Sequence, residues 1–157
     1  MIMPVKKLKG FLDANGVKYV TIGHSAAFTA QEIAASAHIP GKELAKTVMV
    51  DLDGRLTMAV VPASSKVDLD RLEKVAGATK AGLADEAQFA NLFAGCEVGA
   101  MPPFGNLYEM DVFVSERLAA DDEIAFNAGS HTELIRLAYA DFQRLVKPKV
   151  AKIAYGE

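Results

Sequence analysis

The sequence contains few of the residues that build disulfide frameworks, metal centres and membrane spans. It has one cysteine, Cys96, and three histidines that are too far apart for a known metal-ligand spacing: His24, His38 and His131. A single cysteine cannot form an internal disulfide, which suits a reducing compartment. No apolar run approaches the roughly eighteen residues of a membrane span, and Met1–Lys9 lacks the apolar core of a signal peptide. We therefore expect a cytoplasmic protein without a membrane partner, a metal or a cofactor.

The chain has no excess of positive charge either. It contains 17 lysine and arginine residues and 20 aspartate and glutamate residues, which gives a formal net charge of −3 at pH 7. This balance argues against a protein that coats nucleic acid through a general basic surface, and we expect no DNA partner. It is compatible with a local basic patch, and lysines cluster at Lys6, Lys7 and Lys9, at Lys42 and Lys46, and at Lys147, Lys149 and Lys152. Simple solvation of these lysines is the alternative.

The common signatures of nucleotide-dependent and hydrolytic enzymes are also missing. The sequence has no phosphate-binding glycine loop with its lysine and no dinucleotide-binding fingerprint. The segment Gly23–Ala27 begins like the nucleophile elbow of serine hydrolases but has Ala27 where the last glycine should be. Kinases, NAD enzymes, zinc hydrolases and serine hydrolases are therefore disfavoured.

Length and patterning favour one compact α+β domain over residues 1–157. With 51% hydrophobic and 24% charged residues, the chain has the composition of an ordinary globular protein. Asp53-Gly54 between two β-rich segments is a strong hairpin signal, so we predict a mixed, mostly antiparallel sheet with surrounding helices. The predicted helices are Val5–Asn15, Ala30–Ala37, a segment from Leu69 that Gly77 stops, a segment through Ala87 and Phe93, and Asp141–Val146. The predicted strands are Tyr19–Ile22, Leu44–Val50, Leu56–Val61, Asp111–Val114, Glu123–Ala128 and Leu134–Ala138.

The segment Gly95–Gly105 is the most strongly specified loop. Proline fixes φ and pushes the residue before it toward extended geometry, so Met101 and the proline pair after it form a stiff stretch. Glycines on both sides supply conformations that other residues resist. Such a loop would aim the amides of Gly99, Ala100 and Met101 at a carbonyl group or a developing oxyanion. A simple turn between two strands is the alternative.

Two further features combine polar groups with unusual surroundings. Lys46 lies in the apolar strand Leu44–Val50, so its ammonium either reaches solvent along its stem or faces a polar cleft. The small-residue segment Asn127–His131 is predicted to form a turn, in which His131 is either a hydrogen-bonded turn residue or a functional group. A lysine that forms a Schiff base with a small carbonyl substrate is a further alternative for Lys46.

Five short elements occur in a defined order along the chain. They are His24 with Phe28–Glu32, Lys46 in Ala45–Thr47, Val61-Pro62 followed by Val67–Leu69, the G-x-x-x-P loop Gly99–Pro103, and Asn127–Gly129. In this order they resemble the YbaK-like aminoacyl-tRNA deacylases, which are related to the editing domain inserted in bacterial prolyl-tRNA synthetase. The resemblance runs from about Val5 to Pro148. Gly99–Phe104 and Asp122–Gly129 are similar to the branch that acts on seryl- and threonyl-tRNA.

The resemblance implies a trans-editing hydrolase that removes a wrong amino acid from tRNA without a metal or a covalent intermediate. It implies that Lys46 holds the 3′ end of the tRNA or stabilises developing negative charge. It also implies that the amides of Gly99, Ala100 and Met101 contact the aminoacyl group, while a ribose hydroxyl helps to activate the water. The expected substrate-binding residues lie in three loops: His24, Phe28 and Thr29; Pro103 and Phe104; and Gly129, Ser130 and His131.

The resemblance leaves several alternatives open. Phe28 and Phe104 either stack on the terminal base or pack in the interior. Glycine, alanine, serine, threonine and cysteine are candidate amino acids, with serine or threonine favoured, because synthetases for small amino acids misload their tRNAs. The expected partners are the acceptor end of an aminoacyl-tRNA and an aminoacyl-tRNA synthetase. The main alternative function is a non-catalytic module of the same fold that binds an aminoacyl or nucleotide end, or a synthetase.

Overall fold

The amino-terminal helix and the first strand follow the sequence pattern closely. The computed structural model of the protein describes residues 4–23, 39–40, 42–93, 96, 100–130 and 132–157. Helix α1 is Pro4–Ala14 and strand β1 is Tyr19–Gly23, which confirms both predicted elements to within a residue at each end. Gly16 has a left-handed φ of 67°, as expected for a glycine that follows a helix. The predicted helix Ala30–Ala37 lies outside the described residues.

The predicted hairpin forms between two long strands. Strand β2 is Leu44–Leu52 and strand β3 is Arg55–Pro62, and they pair antiparallel along their whole length. Asp53 and Gly54 both have positive φ, 53° and 88°, which is the conformation of a type I′ turn. Because type I′ turns twist in the same sense as the strands that they join, the turn fixes the register of this hairpin.

The Asp53 side chain ties this turn to the segment before the next strand. Its carboxylate accepts hydrogen bonds from the amides of Thr79 at 2.9 Å and Lys80 at 2.8 Å. We expect Asp53→Ala to lower the free energy of unfolding by about 1 kcal/mol, because both amides lose their acceptor and alanine resists the left-handed conformation. Asp53→Asn keeps an oxygen acceptor and tolerates that conformation, so urea denaturation should show a smaller loss. Wild-type stability of Asp53→Ala would show that the carboxylate bonds contribute nothing.

The predicted helix that starts at Leu69 and that Gly77 stops is confirmed. Helix α2 is Leu69–Ala76, the Asp68 carboxylate accepts a hydrogen bond from the Arg71 amide at 3.2 Å, and Gly77 is left-handed. Strand β4, Ala81–Leu83, has no counterpart in the sequence prediction. A strand of three residues is too short to produce a recognisable alternation of apolar and polar side chains.

The predicted helix that leads into the glycine and proline loop is divided into two short pieces. Helix α3 is Glu86–Phe89, and a 3₁₀ helix follows at Ala90–Phe93. After the loop, a second 3₁₀ helix at Gly105–Tyr108, which has no counterpart among the predicted elements, precedes the next strand.

The predicted turn at Asn127–His131 is wrong over residues 127–130. These residues belong to a strand that takes up a register shift between Asn127 and Ser130 and continues past it. The small side chains there mark a β-bulge. The remaining elements are β5 (Asp111–Ser115), α4 (Glu116–Ala119), β6 (Glu123–Ser130), β7 (Glu133–Ala138), α5 (Tyr139–Val146) and β8 (Lys149–Ala151).

The strands form one mixed sheet. Its order is β1-β7-β6-β2-β3-β5-β8, and β4 pairs with β2 beside this path. Four pairings are antiparallel (β1 with β7, β6 with β7, β2 with β3, β2 with β4), and three are parallel (β2 with β6, β3 with β5, β5 with β8). The predicted α+β class with a mixed sheet is therefore confirmed, and antiparallel pairings form a narrow majority.

The two faces of the sheet are packed differently. One face carries the main hydrophobic core, in which Leu8 of α1 and Phe142 of α5 pack with strand residues such as Phe126. The other face carries two smaller clusters, one around Leu44 and one around Val61. The interruption between these two clusters is where the candidate site lies. Among the described residues, no helix is both long and apolar enough to cross a membrane.

Candidate active site

Strands β2 and β6 pair over only two positions and then separate. Their parallel pairing joins Leu44 to Ala125 and Ala45 to Phe126. Farther along the same edge of β2, strand β4 pairs with residues 50–52. In the described part of the chain, residues 46–48 therefore have no strand partner on this edge. Such a gap exposes backbone and side chains of both strands, and gaps beside parallel strands are frequent ligand sites.

Lys46 and Asn127 lie at this gap on the same face of the sheet. The residues before them, Ala45 and Phe126, both belong to the main core. Because side chains alternate along a strand, Lys46 and Asn127 lie on the opposite face. There, Lys46 comes between the two smaller apolar clusters. The structure therefore places two polar side chains of neighbouring strands where an apolar surface is interrupted.

The Lys46 ammonium is held in an unfavourable electrostatic position. Partial burial lowers its pKa from the usual 10.5, and the charge of Lys66 lowers this pKa further. No carboxylate forms an ion pair with Lys46 within the described ranges. A partly buried cation without a carboxylate partner among the described residues has the electrostatic character that suits an anionic ligand. This arrangement favours the polar cleft over free extension into solvent.

The loop that follows Gly99 is attached to the end of β6. The carbonyl oxygen of Ala100 accepts a hydrogen bond of 3.0 Å from the amide of Gly129, so two of the predicted site residues are in contact. Gly129 has a φ of 100°, which favours glycine. Ala100 is fully buried and Met101 is 7% exposed. No backbone acceptor for the Met101 amide is found in the described part of the chain.

Several predicted site residues cannot be placed relative to this gap. His24, Phe28, Thr29, Gly99 and His131 lie outside the described residues, and their roles stay predictions. Ser130 is described: it lies at the end of β6, and its Oγ is 3.2 Å from Oγ1 of Thr132. This pairing orients the Ser130 hydroxyl beside the bulge.

Phe104 has a structural role. Its ring is fully buried, with its centroid 5.5 Å from those of Phe126 and Phe142 and 6.3 Å from that of Phe11. A ring enclosed in this way offers no face to a base, so the prediction that Phe104 stacks on substrate is wrong. The alternative of interior packing is confirmed. Pro103 is buried beside it, so both side chains support the loop from inside.

Cys96 is not arranged as a nucleophile. Burial raises the pKa of its thiol to about 11. At neutral pH only about one molecule in ten thousand would then carry the thiolate, which is the reactive form. Among the described residues, no group of three or more His, Cys, Asp and Glu side chains could hold a metal ion.

The sequence element Asn127–Gly129 assigns no role to the Asn127 side chain, and the structure places that side chain at the gap. The Asn127 side chain is 9% exposed, and its Oδ1 has no hydrogen-bond donor among the described residues. Buried polar atoms are nearly always paired, so this Oδ1 is a buried acceptor for which the described residues supply no donor. The sequence signal that could have identified Asn127 is an amide side chain in the middle of an apolar strand.

Comparisons with known proteins agree on one family. The model of the aminoacyl-tRNA editing domain matches residues 24–145. The multifunctional Ser/Thr-tRNA deacylase ProXp-y of Escherichia coli (strain K12) is 28% identical over 153 residues, which cover 92% of this chain and 89% of that protein. The protein of the same name from Escherichia coli O157:H7 matches with the same values.

Solved structures share the fold. A candidate trans-editing enzyme for prolyl-tRNA synthetase superposes with a TM-score of 0.82 at 19% identity, over 99% of both chains. A scaffold protein for computational epitope grafting superposes with a TM-score of 0.82 at 21% identity, over 100% of both chains. At such identities these matches show the fold alone.

Proposed function

Because this chain belongs to the aminoacyl-tRNA editing domain family, we propose that it is a trans-editing hydrolase for mischarged aminoacyl-tRNA carrying a small amino acid. The observation that carries this proposal is the half-buried Lys46 ammonium at the gap between β2 and β6, without a carboxylate partner among the described residues. Residues 1–157 act as one editing domain in the cytoplasm. Its partners are the acceptor end of the tRNA and an aminoacyl-tRNA synthetase that releases the mischarged product.

The reaction requires positioning and polarisation. The ester between the amino acid and the terminal ribose is already activated, so water can attack its carbonyl carbon without a protein nucleophile. The bond from that carbon to the ribose oxygen breaks, and the ribose oxygen takes up one of the two water protons. The other proton passes to solvent, and the amino acid leaves as a carboxylate. Negative charge develops on the carbonyl oxygen during the attack. The Lys46 ammonium and the Met101 amide stabilise this charge.

The other residues arrange the substrate around the ester. The amides of Gly99 and Ala100 complete the loop that contacts the aminoacyl group, and a ribose hydroxyl of the substrate orients the water. The walls of the amino-acid pocket come from the loops that contain His24, Phe28, Thr29, Gly129, Ser130 and His131. A pocket of this kind excludes large side chains sterically, whereas one extra methylene or hydroxyl changes binding by only about 1–3 kcal/mol. Size exclusion therefore favours small amino acids.

Asn127 is expected to hold the substrate through its unpaired Oδ1. The α-ammonium and the ribose hydroxyls of aminoacyl-tRNA are the donors nearest to the ester. We expect Asn127→Ala to raise KM at least fivefold with little change in the melting temperature, because a buried acceptor without a partner does not stabilise the fold. Steady-state kinetics measures KM, and thermal denaturation of the same preparation measures the melting temperature. An unchanged KM, or a large loss of stability, would assign Asn127 to the fold instead.

A panel of mischarged tRNAs tests the proposed specificity. Labelled glycine, alanine, serine, threonine, cysteine and proline esters are incubated with the protein, and phenylalanyl-tRNA serves as the control for size. We expect release of at least one of the small amino acids and none of phenylalanine. Release of phenylalanine at a comparable rate would contradict the small pocket. The similarity to the Ser/Thr-tRNA deacylase favours serine and threonine as the best substrates.

A further inference from the structure

We propose that a groove beside Lys46 binds the single-stranded 3′-terminal nucleotides of the tRNA, with an unpaired base on Tyr155 and a phosphate on Lys66. This inference rests on the proposed function, because the groove begins at Lys46. The groove has a volume of about 260 Å³ and lies between β2, α2, β4 and the carboxy-terminal tail. Its lining includes Lys46, Lys66 and Tyr155 together with the apolar side chains of Val48, Leu69 and Leu83.

The charge of the groove differs from that of the rest of the surface. Each of four other surface cavities is lined by at least one carboxylate. These carboxylates include Asp53 in the first cavity, Asp85 in the second, Asp121 in the third and Asp70 in the fourth. The groove beside Lys46 has none among its described lining residues, although the protein carries a net charge of −3. The two ammonium groups repel each other, and a bound phosphate would relieve this repulsion. An acidic protein thus presents a local positive groove where an RNA end would have to lie.

The backbone at Tyr155 is anchored by hydrogen bonds, and the residue is exposed. Its amide donates a hydrogen bond of 2.9 Å to the carbonyl oxygen of Lys66, and the Asp68 amide donates one of 2.7 Å to that of Ile153. The adjacent Ala154 is fully buried, and its amide donates a hydrogen bond to the Glu157 side chain. The Tyr155 ring is nevertheless 59% exposed. An exposed aromatic ring on an anchored backbone, beside a lysine, offers a face on which a base can stack.

The chemistry of the groove fits unpaired nucleotides better than a base-paired stem. Stacking needs the open face of a base, and in an acceptor arm only the unpaired 3′ end offers one. The apolar floor, with Leu83 at 66% exposure, accommodates base and ribose edges between the two lysines. The terminal ribose with its ester would lie at Lys46, and the preceding nucleotides would extend toward Lys66 and Tyr155.

The test uses uncharged RNA, so that it does not depend on hydrolysis. A labelled RNA hairpin with an unpaired CCA end and the same hairpin with a blunt end are titrated with the full chain by fluorescence anisotropy. We expect the CCA end to bind at least tenfold more tightly. Tyr155→Ala should weaken its binding by about 5- to 150-fold, and Tyr155→Phe, which keeps the ring, should stay within twofold of wild type.

A salt titration tests the phosphate contact separately. Lys66→Gln should reduce the slope of log K against log salt concentration by about 0.7, the value for one contact to a single strand. Lys18→Gln removes the same charge from an exposed position near β1 and should leave the slope unchanged. Wild-type binding by Tyr155→Ala, or equal binding of the blunt hairpin, would overturn the inference. If the protein binds the two hairpins and responds to the variants as expected but releases no amino acid from aminoacyl-tRNA, the proposed function is contradicted. The proposal that the groove binds the 3′ end is then still supported.

Discussion

Replacing Lys46 with methionine is expected to lower the rate of deacylation by about 10²–10³-fold and to leave the protein at least as stable as the wild type. The loss in rate is the usual effect of removing one group that stabilises charge in the transition state. Single-turnover release of the amino acid from a mischarged tRNA measures the rate, and urea denaturation measures the stability. Few residues of an ordinary strand would show this separation of activity from stability.

The expected gain in stability follows from the lowered pKa of Lys46. A pKa below the usual 10.5 in the folded state means that the fold disfavours the protonated form, so the charge destabilises the folded protein. This cost is fully present below the folded pKa and disappears as the pH rises through 10.5. The stability advantage of Lys46→Met should therefore be largest at neutral pH and vanish in strong alkali. A loss of stability at neutral pH would contradict the electrostatic assignment.

Two further variants define what Lys46 contributes. Lys46→Arg keeps the charge but spreads it over a planar group, and we expect it to restore only part of the activity. Lys18→Met removes an exposed lysine near β1 and should change neither the rate nor the stability. Full activity of Lys46→Met would show that the gap between β2 and β6 is not the catalytic centre.

Replacing Phe104 with alanine is expected to lower the free energy of unfolding by about 3–5 kcal/mol. The reason is the complete burial of the ring against Phe11, Phe126 and Phe142, which would leave a cavity in the main core. For a chain of this size the melting temperature should fall by about 6–20 °C. Differential scanning calorimetry measures this shift.

Controls distinguish this packing role from a role in substrate binding. Phe104→Leu retains most of the apolar volume and should lose much less stability than Phe104→Ala. Phe89→Ala removes a half-buried ring from α3 and should also lower the free energy of unfolding by less than Phe104→Ala does. A Phe104→Ala protein that unfolded like the wild type but failed to bind the substrate would restore the stacking role that the structure contradicts.

The elements predicted correctly from the sequence are those with local chemical signals. Asp53-Gly54 specifies a type I′ turn by conformation, and Asp68 and Gly77 mark the two ends of α2 by hydrogen bonding and left-handed φ. Strands β4 and β8 were missed because three residues carry no periodicity, and each exists through pairing with a distant strand. The segment 127–130 has turn-like composition but is held in β6 by its pairing with β7.

In the candidate site, too, some residues can be recognised from local sequence and others only from the folded structure. Lys46 can be found from the sequence, because a charged residue in an apolar strand requires an explanation. Asn127 becomes notable only when β6 lies beside β2, since the lack of a donor for its Oδ1 is a property of the folded protein. The same holds for Tyr155, whose position beside Lys66 depends on hydrogen bonds between the tail and the segment before α2. Tertiary contacts of this kind leave no local pattern in the sequence.

The most direct measurement is the release of labelled amino acid from seryl- and threonyl-tRNA that are present in large excess over the protein. We predict release of many molecules of amino acid per molecule of protein, well above the rate of spontaneous hydrolysis in the same buffer. Release no faster than in buffer, from folded protein that still binds the RNA hairpin, would contradict the catalytic function. The alternative of a non-catalytic module that binds the aminoacyl end would then hold.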